Sequence, residues 1–108
     1  MAYTVSVNNG MYSADAVEPL GIPSIARQLA AGATSANTVL TANITRISMR
    51  AVSADIRFSI GGAAQTATST SHFIAQDERL DFAVPLGANI AIIRNASTSG
   101  TLEVTELV

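Results

Sequence analysis

The chain has 108 residues, of which 48% are hydrophobic and only 5% aromatic, and its formal net charge is −2. This length fits one domain, and the slight acidic excess argues against a broad electrostatic surface for nucleic acid or an anionic membrane. The absence of cysteine excludes disulfides and thiolate chemistry. No apolar run reaches the roughly 18 residues of a membrane helix, and the first residues do not resemble a signal peptide. We therefore predict a soluble single domain without a nucleic-acid or membrane partner.

The N-terminal part combines one strand pattern with an irregular stretch. Residues 3–7 alternate between apolar and polar side chains, which predicts a strand. Residues 8–10 read Asn-Asn-Gly, a strong signal for a tight turn. The prolines and glycine between residues 11 and 23 then exclude a helix or a central strand.

This pattern predicts a division of roles within the single domain. We expect residues 1–40 to form an N-terminal strand and an extended arm, and residues 41–108 to form the β-sandwich core. Tyr3 and Tyr12 both lie in this N-terminal part. An aromatic arm can lie on a neighbouring subunit or cover its own domain, and the sequence favours neither.

Residues 24–31 fit either a strand or a short helix, because their apolar positions match both spacings. Gly32 would limit a helix to about two turns, and short isolated helices are marginal, so we favour a strand. Residues 38–41, Thr-Val-Leu-Thr, are rich in β-branched side chains and predict a further strand.

Residues 45–62 contain the clearest strand signals in the chain. Two runs of strict alternation flank a link of turn length, and Gly61-Gly62 follows the second run. We predict two neighbouring antiparallel strands with an arginine face outward. Their inward face would carry the apolar residues Ile47, Met49, Ile56, Phe58 and Ile60.

The second half of the chain continues the strand pattern. The threonine-rich residues 63–71 fit an edge strand or a surface loop, and residues 75–78 predict a turn. Residues 89–94 are apolar on both faces, which is typical of a strand that is covered on both sides or packed at an interface. Further inward residues are expected to be Leu80, Phe82, Ile90, Ile92, Leu102 and Val104.

These elements together predict an all-β fold. About eight short strands with frequent turn signals are typical of an antiparallel β-sandwich of jelly-roll type, and we predict that fold with an extended N-terminal segment.

The sequence offers little that could carry catalysis. His72 is the only histidine, and without cysteine it cannot supply a usual zinc ligand set. Asp77, Glu78 and Asp81 form the densest acidic group, but Arg79 interrupts it, and a solvated turn explains it better than a calcium site or a glycosidase carboxylate pair. We predict no catalytic residue, no cofactor and no metal site, and hence no enzyme.

The arginines are more informative, because all six basic residues are arginine, which suits planar pairing at interfaces. Arg46, Arg50 and Arg57 are predicted on outward positions of neighbouring strands, where facing like charges destabilise a sheet. Either Asp81 and Glu103 neutralise them within the domain, or they pair across an interface. The candidate interface residues are Tyr3, Tyr12, Arg46, Arg50, Arg57 and Ile93.

From Asn43 onward the chain resembles a small family of bacteriophage virion proteins. The resemblance lies in a strand RISMRAV, a strand IRFSIGG followed by the small-residue segment AAQTATST, the strands of RLDFAVPLGANIAIIRN, and a terminal STSGTLEVTEL. It is a resemblance of pattern and does not include the arm.

Modules of this kind serve as capsid decoration (cement) proteins, or as parts of tails, fibres and necks. The resemblance implies a protein made in the host cytoplasm and located on the capsid surface of the virion. It also implies that the chain binds the major capsid protein and self-associates, with a homotrimer as the expected oligomer. The alternatives are a phage tail, fibre or receptor-binding module and a carbohydrate-binding β-sandwich.

Overall fold

The computed structural model describes residues 21–108, which form eight β-strands and no helix. The predicted strand in residues 3–7, together with Tyr3 and Tyr12, lies outside the described residues. None of the described residues forms a helix long and apolar enough to span a membrane. The strands are β1 (Pro23–Ala31), β2 (Ala36–Val39), β3 (Arg46–Val52), β4 (Ile56–Gly61), β5 (His72–Ile74), β6 (Arg79–Ala83), β7 (Asn89–Arg94) and β8 (Gly100–Leu107).

The strands form two four-stranded sheets, and every pairing between neighbouring strands is antiparallel. Sheet I has the order β1-β8-β3-β6, and sheet II has the order β2-β7-β4-β5. Each connection therefore crosses from one sheet to the other, except the one between β4 and β5. Eight strands distributed over two sheets in this manner form a jelly roll, which confirms the predicted fold class.

The predicted pairing of the two strands in residues 45–62 is wrong. β3 lies between β8 and β6 in sheet I, whereas β4 lies between β7 and β5 in sheet II. The link between them turns at Ser53, which has a positive φ of 75°, and carries the chain across to the other sheet. The two apolar faces consequently pack against each other across the sandwich. Alternation identifies the apolar face of a strand, but it contains no information about which sheet the strand joins.

The core lies between the sheets and is mainly aliphatic. The inward residues expected from the sequence are confirmed: eight of the eleven are fully buried, and Ile60, Leu80 and Phe82 are partly buried against them. The connections add further buried side chains. These include Leu40, Ile44, Ala54, Val84 and Ala88.

Two ambiguous stretches are resolved. Residues 24–31 form most of β1, so the strand interpretation is confirmed, and β1 has an irregular register between Pro23 and Ala26. Residues 63–71 contain no strand and belong to the surface connection between β4 and β5. Both β1 and β2 lie before the predicted division at residue 40. β1 is an edge strand of sheet I and β2 is an edge strand of sheet II, so each completes one sheet of the sandwich.

Candidate functional site

The outer face of sheet I carries short polar side chains and a row of long polar side chains that crosses all four strands and is charged on three of them. The register aligns Gln28 with Glu103, Glu103 with Arg50, and Arg50 with Arg79. This face is exposed along the edge strands β1 and β6 and mostly half-buried along β8 and β3. We define the open face as two rows of residues: Gln28, Glu103, Arg50 and Arg79, and beside them Ala26, Thr105, Ser48 and Asp81.

Arg50 and Arg79 lie directly opposite each other on the open face, an arrangement that repulsion between like charges would destabilise. Neighbouring groups reduce this repulsion. Arg50 Nη2 lies 2.9 Å from Asp77 Oδ1, and Arg79 Nη1 donates a hydrogen bond of 2.9 Å to Ser48 Oγ. The Arg50–Asp77 pair is exposed, and such pairs contribute only about 0–1 kcal/mol to stability.

The two acidic residues predicted to neutralise the arginines have different positions. Glu103 faces Arg50 across β8 and β3, as neutralisation requires, whereas Asp81 faces Ser48. The residue that pairs with Arg50 is Asp77, in the turn before β6. Arg46, at the start of β3, lies on the same side of sheet I, opposite Ala83.

The outer face of sheet II is covered at its centre by the chain itself. Ala91 points outward from β7, yet none of its surface is accessible. Its neighbours across the sheet are Asn37 on β2 and Ser59 on β4. Gln65 Oε1 accepts a hydrogen bond of 2.7 Å from Ser59 Oγ, and the backbone N–H of Gln65 donates one of 2.9 Å to Asn37 Oδ1. Gln65 therefore bridges the two strands that flank Ala91.

Further hydrogen bonds hold residues 62–71 in this position. The Ala67 amide donates to Ser35 Oγ at 2.8 Å, and Ala67 itself is buried. Beneath the segment, Asn37 Nδ2 donates to Asn89 Oδ1 at 2.9 Å. We call this outer surface of sheet II the covered face. The double-sided apolarity of residues 89–94 was expected to reflect either a cover or an interface, and at Ala91 the cover belongs to the same chain.

Arg57 lies on the covered face, where it connects three parts of the chain. Its Nε donates to Asn95 Oδ1 at 2.9 Å, and its Nη1 donates to the Ser71 carbonyl at 3.1 Å. The guanidinium carbon also lies 4.8 Å from the centre of the Phe73 ring, within range of a cation–π interaction. Ile93 is the residue opposite Arg57 on β7.

The predicted interface residues consequently do not form a single patch. Arg46 and Arg50 point outward from sheet I, while Arg57 and Ile93 point outward from sheet II. The expectation that the three arginines lie on neighbouring strands is wrong, because the chain changes sheets between β3 and β4.

A buried ion pair lies at one edge of the sandwich and was not predicted. Alternation along β8 places Glu106 on the inward side with Leu102 and Val104, and its side chain has no accessible surface. Arg27 Nε on β1 lies 2.8 Å from Glu106 Oε2, which also accepts a hydrogen bond of 3.1 Å from the Thr41 amide. Glu106 Oε1 accepts no hydrogen bond from the part of the chain that the structure describes. The pair ties sheet I to the connection between β2 and β3.

The pKa of Glu106 reflects two opposing effects. Burial removes water from the carboxylate and would by itself raise the pKa. Hydrogen bonds from Thr41 and Arg27, together with the Arg27 charge, outweigh this effect and hold the pKa of Glu106 below its usual value. Glu106 is therefore a structural carboxylate that stays ionised at neutral pH.

Two members of the acidic group in residues 77–81, Asp77 and Glu78, make hydrogen bonds in the turn before β6. Asp77 adopts a positive φ of 67°, and its amide donates to the Ala51 carbonyl at 2.8 Å. Glu78 Oε1 accepts a hydrogen bond of 2.9 Å from the Ala75 amide. Asp81 instead points outward from β6 on the open face. Within residues 21–108, no three side chains of His, Cys, Asp or Glu are grouped so that they could hold a metal ion.

A cavity of about 390 Å³ opens between β5 and β6, and we call it the edge cavity. β5 is the last strand of sheet II and β6 is the last strand of sheet I, so the cavity lies where the two sheets part. His72, the histidine considered above, is at its wall. The lining residues are Phe58, Ile60, His72, Phe73, Leu80, Phe82, Ala83 and Pro85.

Comparison with known proteins yields one partial likeness. No family model matches this chain, and no curated protein matches it. Among solved structures, the chain is similar to the cupin domain of Cnp3 from Schizosaccharomyces pombe, with 17% sequence identity and a TM-score of 0.48. The match covers 77% of this chain and 51% of the other, so the chain spans about half the length of that structure. At this level the likeness is confined to the backbone.

Proposed function

We propose that this protein is a non-enzymatic structural protein of a bacteriophage virion, a decoration protein that binds the outer capsid surface through its open face. The observation that carries the proposal is the difference between the two outer faces of the sandwich. Residues 62–71 cover the centre of the sheet II face, where Ala91 is inaccessible, whereas Arg50, Glu103 and Thr105 at the centre of the sheet I face stay partly exposed. The fold is compatible with this role, because viral capsid proteins also use the jelly roll.

The chemistry of the open face suits a protein partner. It combines a row of short side chains with the adjacent guanidinium groups of Arg50 and Arg79, whose charge Asp77, Glu103 and Asp81 neutralise only locally. Arginine is favoured at interfaces because its planar, weakly hydrated guanidinium pairs well with carboxylates. The partner surface on the major capsid protein should therefore present acidic groups in register with these two arginines.

Self-association would strengthen binding to a shell. We propose a homotrimer of 11.1 kDa subunits, in which three open faces contact neighbouring capsid subunits. When one subunit of a trimer has bound, the other two are held close to their sites, so the apparent affinity of the trimer rises. A protein that binds only the assembled shell also stabilises that shell by mass action. Native mass spectrometry of the recombinant protein should show the trimer, and a purely monomeric protein would contradict this part of the proposal.

The direct test is to locate the protein on purified virions of the virus that encodes it. Quantitative mass spectrometry should find hundreds of copies per particle, and cryo-electron microscopy should place them on the outer capsid surface. A few copies at the tail would instead support a tail, fibre or receptor-binding module. Absence from virions, together with saturable binding on a glycan array, would replace the proposal with a carbohydrate-binding function.

A charge reversal tests the binding face. Arg50→Glu should lower the affinity for capsids by about tenfold or more, because it places a negative charge against an acidic partner surface. Arg94→Glu is the matched control, since Arg94 lies on β7 in sheet II and donates a hydrogen bond to Ser99 in the next turn. Equal loss in both variants, or no loss in Arg50→Glu, would contradict the assignment of the open face.

A further inference from the structure

The edge cavity has the dimensions of a ligand site and takes no part in the proposed capsid contact. Its volume of about 390 Å³ is within the roughly 300–1,000 Å³ typical of small-molecule sites in proteins. Leu80 and Phe82 reach it from the inner side of β6, whereas the open face uses the outer side of that strand. The two sites can therefore be tested independently.

The aromatic residues of the core converge on this cavity. All three phenylalanines of the chain and its only histidine line it. The ring centres of Phe58 and Phe82 are 5.7 Å apart with an interplanar angle of 49°, and those of Phe58 and His72 are 5.5 Å apart at 40°. Tilted rings at these distances present both faces and edges, which favours packing of a further aromatic ring.

The cavity wall also determines which ligands are excluded. Among residues 21–108, no Asp, Glu, Lys or Arg lines it, so a charged ligand would lose hydration without gaining a partner there. His72 carries the polar side-chain group of the described lining, and its exposed position places that group near the opening. One hydrogen-bonding group on the ligand can therefore be satisfied there, while the remainder of the ligand must be apolar.

The rim of the cavity is held in place by a residue outside it. Phe73 is 41% exposed and borders the opening. Arg57 lies against its ring and is itself fixed by hydrogen bonds to Asn95 and Ser71. Arg57 thus acts as a positioning residue for the aromatic rim.

We propose that the edge cavity binds a small, uncharged aromatic compound that carries one hydrogen-bonding group, such as a phenol or an aromatic alcohol. The ring packs beside Phe58 and Phe82, and the polar group reaches His72.

The chemical class can be tested by NMR titration of the full chain with three matched probes. Benzyl alcohol should bind, with chemical shift changes centred on the lining residues. Benzoate should bind about tenfold more weakly or less, because its charge is not compensated. Cyclohexylmethanol should bind about two- to tenfold more weakly, because it cannot make the aromatic contacts. Equal binding of either competitor, or shift changes centred elsewhere, would overturn the proposal.

Two variants test the assigned contacts. His72→Phe keeps a ring beside Phe58 but removes the hydrogen bond, so the affinity for benzyl alcohol should fall about two- to tenfold while that for toluene stays unchanged. Ile60→Phe should reduce binding of both probes by filling the cavity, and Ile25→Phe, on exposed β1, is the control. If Ile60→Phe does not fold, the His72→Phe result decides. Unchanged binding of benzyl alcohol by His72→Phe would overturn the proposal. The same variant should bind capsids like the wild type, because His72 lies outside the open face.

Discussion

The two outer faces of this sandwich have similar residues at their centres, but the chain covers only the centre of sheet II. Ser59, Ala91 and Asn37 on sheet II are as small and polar as Ser48, Thr105 and Ala26 on sheet I. The difference arises in the connections. β4 and β5 are neighbours in the same sheet, so the segment between them can fold back over that sheet, whereas every other connection crosses to the opposite sheet. Whether a strand face is covered therefore depends on topology more than on the strand sequence.

The largest expected effect comes from a charge placed under the covering segment. Ala91→Glu should lower the free energy of unfolding by about 3–5 kcal/mol, because it leaves an unpaired carboxylate beneath Gln65. Ala30→Glu, at an exposed outward position of β1, should change it by no more than about 0.5 kcal/mol. Urea unfolding of both variants measures the difference. Similar losses would show that the two faces do not differ as described.

The buried Arg27–Glu106 pair and the exposed Arg50–Asp77 pair provide a second test of the contrast between enclosed and exposed positions. Arg27→Met should cost about 3 kcal/mol, because it leaves the Glu106 carboxylate buried without its partner. Arg50→Met, which removes the exposed pair with Asp77, should cost about 0–1 kcal/mol.

Replacing both buried partners should recover most of the loss. The double variant Arg27→Met/Glu106→Leu removes the charge and its partner together, so its free energy of unfolding should approach that of the wild type. If the double variant is as unstable as Arg27→Met alone, packing at this edge, and not charge, determines the cost.

A smaller loss of stability is expected when Gln65, which holds residues 62–71 against sheet II, is replaced. Gln65→Ala should cost about 1–2 kcal/mol, because Ser59 and Ala63 lose their partners. The neighbouring Thr66→Ala is the control, since Thr66 is exposed. Limited proteolysis should cleave residues 62–71 faster in Gln65→Ala than in Thr66→Ala. Equal cleavage rates would show that Gln65 does not hold the segment.

The smallest expected effect is a dependence of stability on pH. The folded pKa of Glu106 lies below its unfolded value, so ionised Glu106 adds stability above the unfolded pKa, and this contribution is lost as the pH falls through the folded pKa. Unfolding measured from neutral pH into the acidic range should therefore show a larger decrease for the wild type than for Arg27→Met/Glu106→Leu. Parallel curves would assign the acid sensitivity to other carboxylates.

Much of the fold could be predicted because alternation directly records which side of a strand is apolar. The large apolar inward residues of β3, β4, β7 and β8 were identified in this way, and β1 was recognised as a strand because Gly32 leaves no room for a stable helix. The same alternation continues to Glu106 and would have indicated a buried carboxylate. A charged residue at the end of the chain did not stand out as part of that pattern.

The candidate site was less predictable, because it depends on which strands become neighbours. Arg50 and Arg79 are far apart in the sequence, and only the pairing of β3 with β6 brings them together. Arg57 was grouped with Arg50 on sequence proximity, although a single link separates the strands into different sheets. The edge cavity likewise combines residues from β4, β5 and β6, and no local pattern connects them.

The amino-acid sequence by itself determined an all-β chain with an aliphatic core, no cysteine chemistry and a turn at residues 75–78. Those properties follow from local spacing and side-chain type, which act over a few residues. Only the tertiary structure decided that β3 and β4 belong to different sheets, that residues 62–71 cover sheet II, and that Glu106 is paired with Arg27. These outcomes depend on contacts between distant segments, and such contacts form only when the two sheets pack together to bury their apolar faces.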